Sequence, residues 1–309
     1  MGGRCIKFAY TSVATFAEVR VALNETYFAV RHYDLAATLG CGQAFRWERR
    51  ADHWQGIVGG RWVELRQQNE KILARCVAPQ SDWAWLANYL QVAVDLDAIL
   101  ATFPIDEPMK KAVTLCHGLR LLRQEPWECL ASFILSSTKQ IVQIRQIVTR
   151  LCERHGSPVA SPVGTATAWA FPTPGQIATL SETQLRECKM GFRAPYLLAA
   201  ARSIAGGGLD PDGLRHLEFS EARARLLALP GVGPKIADCV LLFAHGFPTA
   251  FPVDVWVMKA LRRSYFRNRR VPLAKLRSFS ASHFGPHGGY AQQYLFHSLR
   301  LSEGKKLSH

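Results

Sequence analysis

The chain has eight cysteines but no Cys-x-x-Cys pair; they stand singly at positions 5, 41, 76, 116, 129, 152, 188 and 239. Zinc ribbons and iron–sulfur clusters need closely spaced thiolates, so neither is expected, and no metal site is predicted. No apolar run is long enough to span a bilayer, and the first residues lack the basic, apolar and small-residue segments of a signal peptide. Position 6 is neither Ser nor Thr, which excludes the myristoylation pattern. The expectation is an intracellular protein whose isolated cysteines serve as small buried hydrophobes. The acid-poor first 17 residues leave an organelle-targeting reading open. No repeat of 20–50 residues and no low-complexity tract is present.

Acidic residues are the other shortage. Against 38 Lys and Arg the 309-residue chain sets 24 Asp and Glu, for a net charge of +14 and a pI near 9.7. The imbalance is local: residues 1–104 carry 11 basic and 10 acidic side chains, residues 105–309 carry 27 and 14. Such an excess favours a polyanionic partner, nucleic acid or an acidic membrane face, and places its contacts mainly in the second part.

The two parts also differ in pattern. Short β-rich runs at 44–47, 53–58, 61–66 and 72–77, separated by turn signals, predict an antiparallel sheet with helices at 84–89 and near Leu96. From residue 105 the period becomes helical. Helices are predicted over 109–118, 126–135, 141–155, 174–180, 183–189, 194–205, 220–228, 234–246, 255–265, 273–284 and 289–301. The class is α+β: a sheet domain over 1–104 and a mainly helical domain over 105–309.

Within the helical part, Leu229-Pro230-Gly231-Val232-Gly233-Pro234-Lys235 joins two helices by a very short hairpin. Gly231 and Gly233 permit close backbone approach, and Pro234 suits a first helical turn. Free N–H groups of Gly231, Val232 and Gly233 at a helix N-terminus would form an anion site suited to a DNA phosphate. The same residues also make a plain helix–turn–helix corner, and the hairpin alone leaves both readings open. Lys235 lies in the first turn, where the helix dipole disfavours an ammonium and favours a nucleophilic amine. An exposed phosphate-contacting lysine is the ordinary alternative. Asp254 precedes an apolar helix as an N-cap, and 19 residues after Lys235 it is placed to bring a carboxylate to face that amine. It would then stabilise positive charge at a sugar C1′ as a glycosidic bond breaks.

"LPGVGPKIADC" followed by "PVDVW" resembles the helix–hairpin–helix DNA glycosylases, and a Lys at position 235 resembles their bifunctional members. "CGQAFRW" (41–47), "HWQGIVGGRWVELRQ" (53–67), "RLLRQEPWECLASFILSS" (120–137), "MGFRAPYL" (190–197) and "GPHGGYAQQYLF" (285–296) are similar, in order, to the 8-oxoguanine DNA glycosylase/lyase family. The likeness spans about residues 30–300 and implies base flipping, attack of Lys235 at C1′, a Schiff base and β-elimination, without cofactor or metal. It implies that the Gly42 carbonyl accepts the N7–H of the oxidised guanine. Cys239 and Phe296 would stack on the base, and Gln292 would bond its Watson–Crick edge. Phe192 would wedge the duplex, Arg193 would contact the estranged base, and Thr138 or a neighbour would fill the vacated space. Read without the resemblance, Cys239 is a buried hydrophobe, Phe296 is core and Gln292 is surface.

Several positions depart from the eukaryotic pattern. Three asparagines after "SS" are Thr138-Lys139-Gln140 here, a second cytosine-reading arginine is Gln143, and a phosphate-binding His is Trp256. The bacterial members are the nearer likeness, and relaxed discrimination opposite the lesion is expected. Arg262, Arg263, Arg267, Arg269 and Arg270, interleaved with Tyr265 and Phe266, are expected to face the DNA backbone. The predicted partner is double-stranded DNA containing oxidised guanine, met by a monomer in the nucleoid of a bacterium or the nucleus of a eukaryote. Two other readings stay open. An alkylated-purine glycosylase would favour electron-rich aromatics and lack the lysine, and a non-catalytic helix–hairpin–helix DNA-binding protein would leave Lys235 and Asp254 idle.

Overall fold

The computed structural model describes residues 23–77, 81–137 and 139–303. Five antiparallel strands come first: β1 (Asn24–Ala29), β2 (Trp47–Arg49), β3 (Trp54–Val58), β4 (Arg61–Gln68) and β5 (Lys71–Cys76). Their order across the sheet is β1-β5-β4-β3-β2. Two-residue turns at Gly59-Gly60 and Asn69-Glu70 close the β3–β4 and β4–β5 hairpins, with Val58 opposite Arg61 and Gln68 opposite Lys71. This register sends Trp54, Val58, Val63, Leu65, Ile72 and Ala74 to one side, where they bury against helix α1 (Leu35–Gly40) and helix α2 (Ala84–Leu90).

The helical part contains α3 (Leu96–Leu100), α4 (Glu107–Cys116), α5 (Pro126–Leu135), α6 (Ile141–His155), α7 (Pro174–Ala178), α8 (Glu182–Glu187) and α9 (Ala194–Ala205). It continues through α10 (Phe219–Leu227), α11 (Pro234–Val240), α12 (Val255–Tyr265), α13 (Leu273–His283) and α14 (Gly288–Ser302). Their starts follow local chemistry. Asp106, Thr173, Ser181 and Asp254 each accept an N–H of the first turn, and Pro126, Pro174 and Pro234 open their helices. The last helix, α14, is buried on most of its circumference and packs on α4 and α12.

Several features differ from the sequence expectation. Strand β1 and helix α1 were not anticipated, nor was the small hairpin of β6 (Pro158–Val159) and β7 (Ala168–Trp169). Residues 44–46 are not a strand: Gly42 turns the chain with φ +87°, and Phe45 enters the helical core while Trp47 enters the sheet core. The predicted helix 234–246 changes at Leu241 into a π-helical turn, Leu241–His245, which ends at a left-handed Gly246. Tyr265 and Phe266 do not alternate with arginines on an outer face. They pack on Phe279, and the Tyr265 hydroxyl donates to Asp106 at 3.1 Å. Leu96, Ile99 and Phe103, from the first 104 residues, belong to the helical core, and Leu122 belongs to the sheet core.

Among the described residues, three imidazoles of the helical part, His155, His245 and His297, have a buried nitrogen without a hydrogen bond. Burial lowers the rings of His245 and His297 to about 4. The unfolded chain binds protons at these sites near pH 6.5, whereas the folded chain resists until about 4. Stability is therefore present above the higher value and lost as pH falls through this window. A series of thermal melts is expected to show the melting temperature dropping between those limits, with a shallower drop in His297→Gln.

Candidate active site

The hairpin between α10 and α11 is built for close approach. Gly231 has φ +78°, and a Cβ there would lie 2.3 Å from Cγ of the Tyr196 ring, so only glycine fits under that side chain. Gly233 caps α11 without any side-chain hydrogen bond. The amide of Val232, by contrast, donates to the Leu229 carbonyl at 3.1 Å and the residue is buried. Pro234 has no N–H and the Ile236 and Ala237 amides donate to the Gly233 carbonyl, so the open donors are the amides of Gly231, Gly233 and Lys235, and Val232 is a packing residue.

One turn of backbone later, the Lys235 side chain points away from the hairpin. Its Nζ donates to Ser136 Oγ at 2.9 Å and lies 4.9 Å from the centre of the Phe133 ring, both on or at the end of α5. Asp254 begins α12 and accepts the Val257 amide at 2.7 Å. Burial raises its carboxyl above the ordinary aspartate range, opposed by the Val257 hydrogen bond and by the charges of Lys235 and Arg300.

Lys235 and Asp254 line one cavity of about 460 Å³, together with Gly42, Cys239, Gln292 and Phe296. All six residues singled out in sequence for chemistry and base recognition therefore meet. The volume falls in the range of small-molecule sites. Gly42 forms part of the wall because a Cβ there would sit 2.5 Å from Ile141 Cδ1, and 4.0 Å from a ring atom of Phe296. Cys239, one turn after Lys235, is a neutral thiol: burial pushes it up to about 12, against the opposing charge of Lys235. Gln292 is only 4% exposed, and its Oε1 has no hydrogen-bond partner. A buried amide oxygen left unpaired costs about 1–3 kcal/mol, so this acceptor is aimed at a donor that arrives with a ligand.

Phe192 is 53% exposed, as a wedge requires. Arg193 is buried behind it, 4.2 Å from its ring, and donates to the carbonyls of Met190 (3.2 Å) and Ser137. Thr138 lies outside the described residues. Gln143 is engaged locally, its Oε1 accepting the Gln140 amide at 3.1 Å and closing the start of α6. Sequence reading missed Ser136, Ile141, Arg145, Trp256 and Arg300 as cavity residues. Arg300 had a signal, since it continues the Gln292, Phe296 stripe by one more step of four. Among the described residues, His32, Asp97 and His117 are a group whose ligand atoms come within 4.8 Å of one another; they are exposed and do not line the cavity.

Comparison with known proteins decides the family. Residues 27–130 match the model for the 8-oxoguanine DNA glycosylase N-terminal domain, and residues 131–280 match the HhH-GPD superfamily of base excision DNA repair proteins. The N-glycosylase/DNA lyase OGG1 of Arabidopsis thaliana is 30% identical over 282 residues, covering 85% of this chain and 76% of the relative. The chain belongs to the 8-oxoguanine DNA glycosylase/lyase family. Solved structures of family members agree. MBOgg1 bound to a low-affinity DNA ligand superposes with a TM-score of 0.86 at 29% identity, covering 90% of this chain and 96% of that one. The Clostridium acetobutylicum 8-oxoguanine glycosylase/lyase, bound to duplex DNA with cytosine opposite 8-oxoguanine, gives 0.83 at 33% identity, with 88% and 93% covered. A 3-methyladenine DNA glycosylase from Archaeoglobus fulgidus shares the fold, with a TM-score of 0.76 at 20% identity. No helix among the described residues is long and apolar enough to cross a membrane.

For this family member the basic cluster is narrower than the sequence suggested. Arg262 donates to the Val271 carbonyl at 2.9 Å, and Arg263 lies 3.8 Å from Glu303. Arg263, Arg267, Arg269 and Arg270 are all exposed, and among the described residues the last three form no ion pair. Replacing these three by Gln is expected to weaken duplex binding uniformly across sequences and to flatten the salt dependence. The slope of log K against log salt would fall by roughly one for each phosphate no longer neutralised, read by fluorescence anisotropy.

Proposed function

We propose that this protein is a bifunctional DNA glycosylase and abasic-site lyase that excises 8-oxoguanine from duplex DNA. The observation that carries the reading is the shared cavity: an amine at a helix N-terminus, a buried carboxylate and an unpaired buried amide oxygen face the same space. The damaged nucleotide leaves the stack and enters it, with Phe192 filling the duplex. Cys239 and Phe296 hold the two faces of the base. Gln292 accepts from the N–H groups of its Watson–Crick edge, and the Gly42 carbonyl accepts the N7–H that ordinary guanine lacks. For ordinary guanine two lone pairs would be opposed there, which supplies the discrimination.

Lys235 then attacks C1′ as the glycosidic bond breaks and the base departs with its electron pair, while Asp254 stabilises the positive charge developing on the sugar. Opening of the sugar gives a Schiff base on Nζ. Loss of a C2′ proton then expels the 3′ phosphate and nicks the strand. The hairpin amides and exposed arginines hold the backbone through these steps. With Gln143 committed to its helix cap and Arg193 buried on the Met190 and Ser137 carbonyls, neither side chain is held ready for the opposite base, and pairing with cytosine is expected to be weakly enforced. An alkylated-purine glycosylase would have no use for Lys235, and a pure binding module no use for the cavity.

Borohydride trapping on an 8-oxoguanine duplex tests the nucleophile. The wild-type chain is expected to cross-link. Lys235→Gln should not, and its excision should fall roughly a thousandfold, about 4 kcal/mol in the barrier, with affinity for an abasic-analogue duplex kept. A cross-link that survives in the variant removes Lys235 from the mechanism.

Asp254 can be tested apart from its structural duty, because Asn caps a helix as well as Asp does. Asp254→Asn should melt within a few degrees of wild type yet lose roughly a hundredfold in single-turnover excision. Since burial holds the Asp254 carboxyl high, the acidic limb of the wild-type rate profile should lie above the ordinary aspartate range and vanish in the variant.

A further inference from the structure

Helix α14 places Gln292, Phe296 and Arg300 four residues apart, on one stripe that faces the cavity. The first two have a place in the reading above. The third does not, and its surroundings are unusual for a cation. The guanidinium of Arg300 lies between two rings, 5.4 Å from the centre of Phe296 and 5.6 Å from that of Trp256. Its Nε is buried without a hydrogen-bond partner. Among the described residues Arg300 donates no hydrogen bond and forms no ion pair; the nearby Glu303 is taken by Lys259, at 2.6 Å, and by Arg263. Burial lowers its proton affinity, partly offset by the charge of Asp254.

An arginine carries five donors in a fixed fork, and partial burial without an acceptor is costly. Two aromatic rings within cation–π range offset part of the charge, but leave the buried Nε–H unsatisfied. The acceptor that answers it must arrive with the ligand. It must be anionic, and it must sit beside the carboxylate and amine that work on the sugar. In DNA the anionic groups attached to that sugar are its two phosphodiesters. A guanidinium fork matches two phosphate oxygens at once.

We propose that Arg300 binds a phosphodiester flanking the extruded nucleotide and so fixes its sugar against Lys235 and Asp254. The inference rests on the functional reading above. Arg300 is a substrate-binding residue, flanked by the rings of Trp256 and Phe296. Through the Phe296 contact it also couples the grip on the backbone to the ring that stacks on the base. The charge is thus supplied by α14, while the neighbouring position on α12, Trp256, supplies the platform.

The test uses the full chain and a duplex carrying a tetrahydrofuran abasic analogue, which has the flanking phosphates but no base. Affinity is read by anisotropy across a range of KCl, with Arg225→Gln as the control for loss of one charge, since Arg225 is paired with Glu221 and exposed on α10. Arg300→Gln is expected to bind about tenfold more weakly than that control, with a salt slope smaller by about one. Arg300→Lys should keep the slope and lose part of the affinity, which also shows that the site folds without the arginine. A single methylphosphonate at the contacted phosphate should weaken the wild type to the level of Arg300→Gln and leave that variant unchanged. Equal binding by Arg300→Gln and the control, or equal methylphosphonate penalties in wild type and variant, overturns the proposal. A loss seen only when 8-oxoguanine is present overturns it too, and assigns Arg300 to the base. Failure of the wild type to excise 8-oxoguanine would remove the functional reading, whereas the methylphosphonate comparison still decides the phosphate contact.

Discussion

The side-chain amide of Gln43 is fully buried and hydrogen-bonded at both ends. Its Nε2 donates to the carbonyls of Thr38 and Arg120, each at 2.8 Å, and its Oε1 accepts the Leu122 amide at 2.9 Å. Its own carbonyl takes the Gln124 side chain at 2.7 Å. This one residue ties the loop between α1 and β2 to the extended segment entering α5. Breaking it would strand several backbone groups without water, at roughly 1–3 kcal/mol each. Gly42 precedes Gln43 and Phe45 follows it closely, so the wall that the sheet domain contributes to the cavity is set by this amide. The segment held on the other side leads directly into α5, whose far end carries Phe133 and Ser136, the two groups that receive Lys235.

The chemistry is assembled from helix starts rather than from loops. Lys235 opens α11 and Asp254 caps α12, so each is positioned by backbone geometry that its own helix enforces. The carboxylate of Asp254 serves two masters, the Val257 amide and the space beside Lys235. The hydrogen bond from Val257 favours the charged form and burial opposes it, with burial the larger influence. Opposite them, α14 contributes an almost wholly buried face, from which Gln292, Gln293 and Arg300 line the cavity.

Much of this was legible in sequence. Helices with a proline or capping residue at the start and clear periodicity, such as Pro126–Leu135, Ala194–Ala205 and Val255–Tyr265, occupy the bounds their residues predict. The residues expected to share a site do share it, because motif and resemblance converged on the same positions. What was not legible is what depends on distant partners. Strand β1 pairs with β5, more than forty residues away, so no hairpin turn announces it. Tyr265 and Phe266 looked like an aromatic–basic surface, but the direction of the helix turns them onto α13. The Val232 amide looked free and is used within its own turn. Arg300 continues the Gln292, Phe296 stripe, but its place between the Trp256 and Phe296 rings depends on α12 and is seen only in the fold.

The buried thiols have a further consequence. All seven described cysteines are buried, and burial holds Cys41 at about 11 and Cys116, Cys152 and Cys239 at about 12. Peroxide reacts with the thiolate, and burial keeps Cys239 in its neutral thiol form at neutral pH. The sulfur that faces the cavity is therefore kept in the form that oxidants leave alone. For a member of a family directed at oxidised guanine this matters. The conditions that create its substrate are those that would otherwise convert a pocket cysteine to a sulfenic acid. Burial gives the site a chemical shelf life under oxidative stress without any reductant being spent on it.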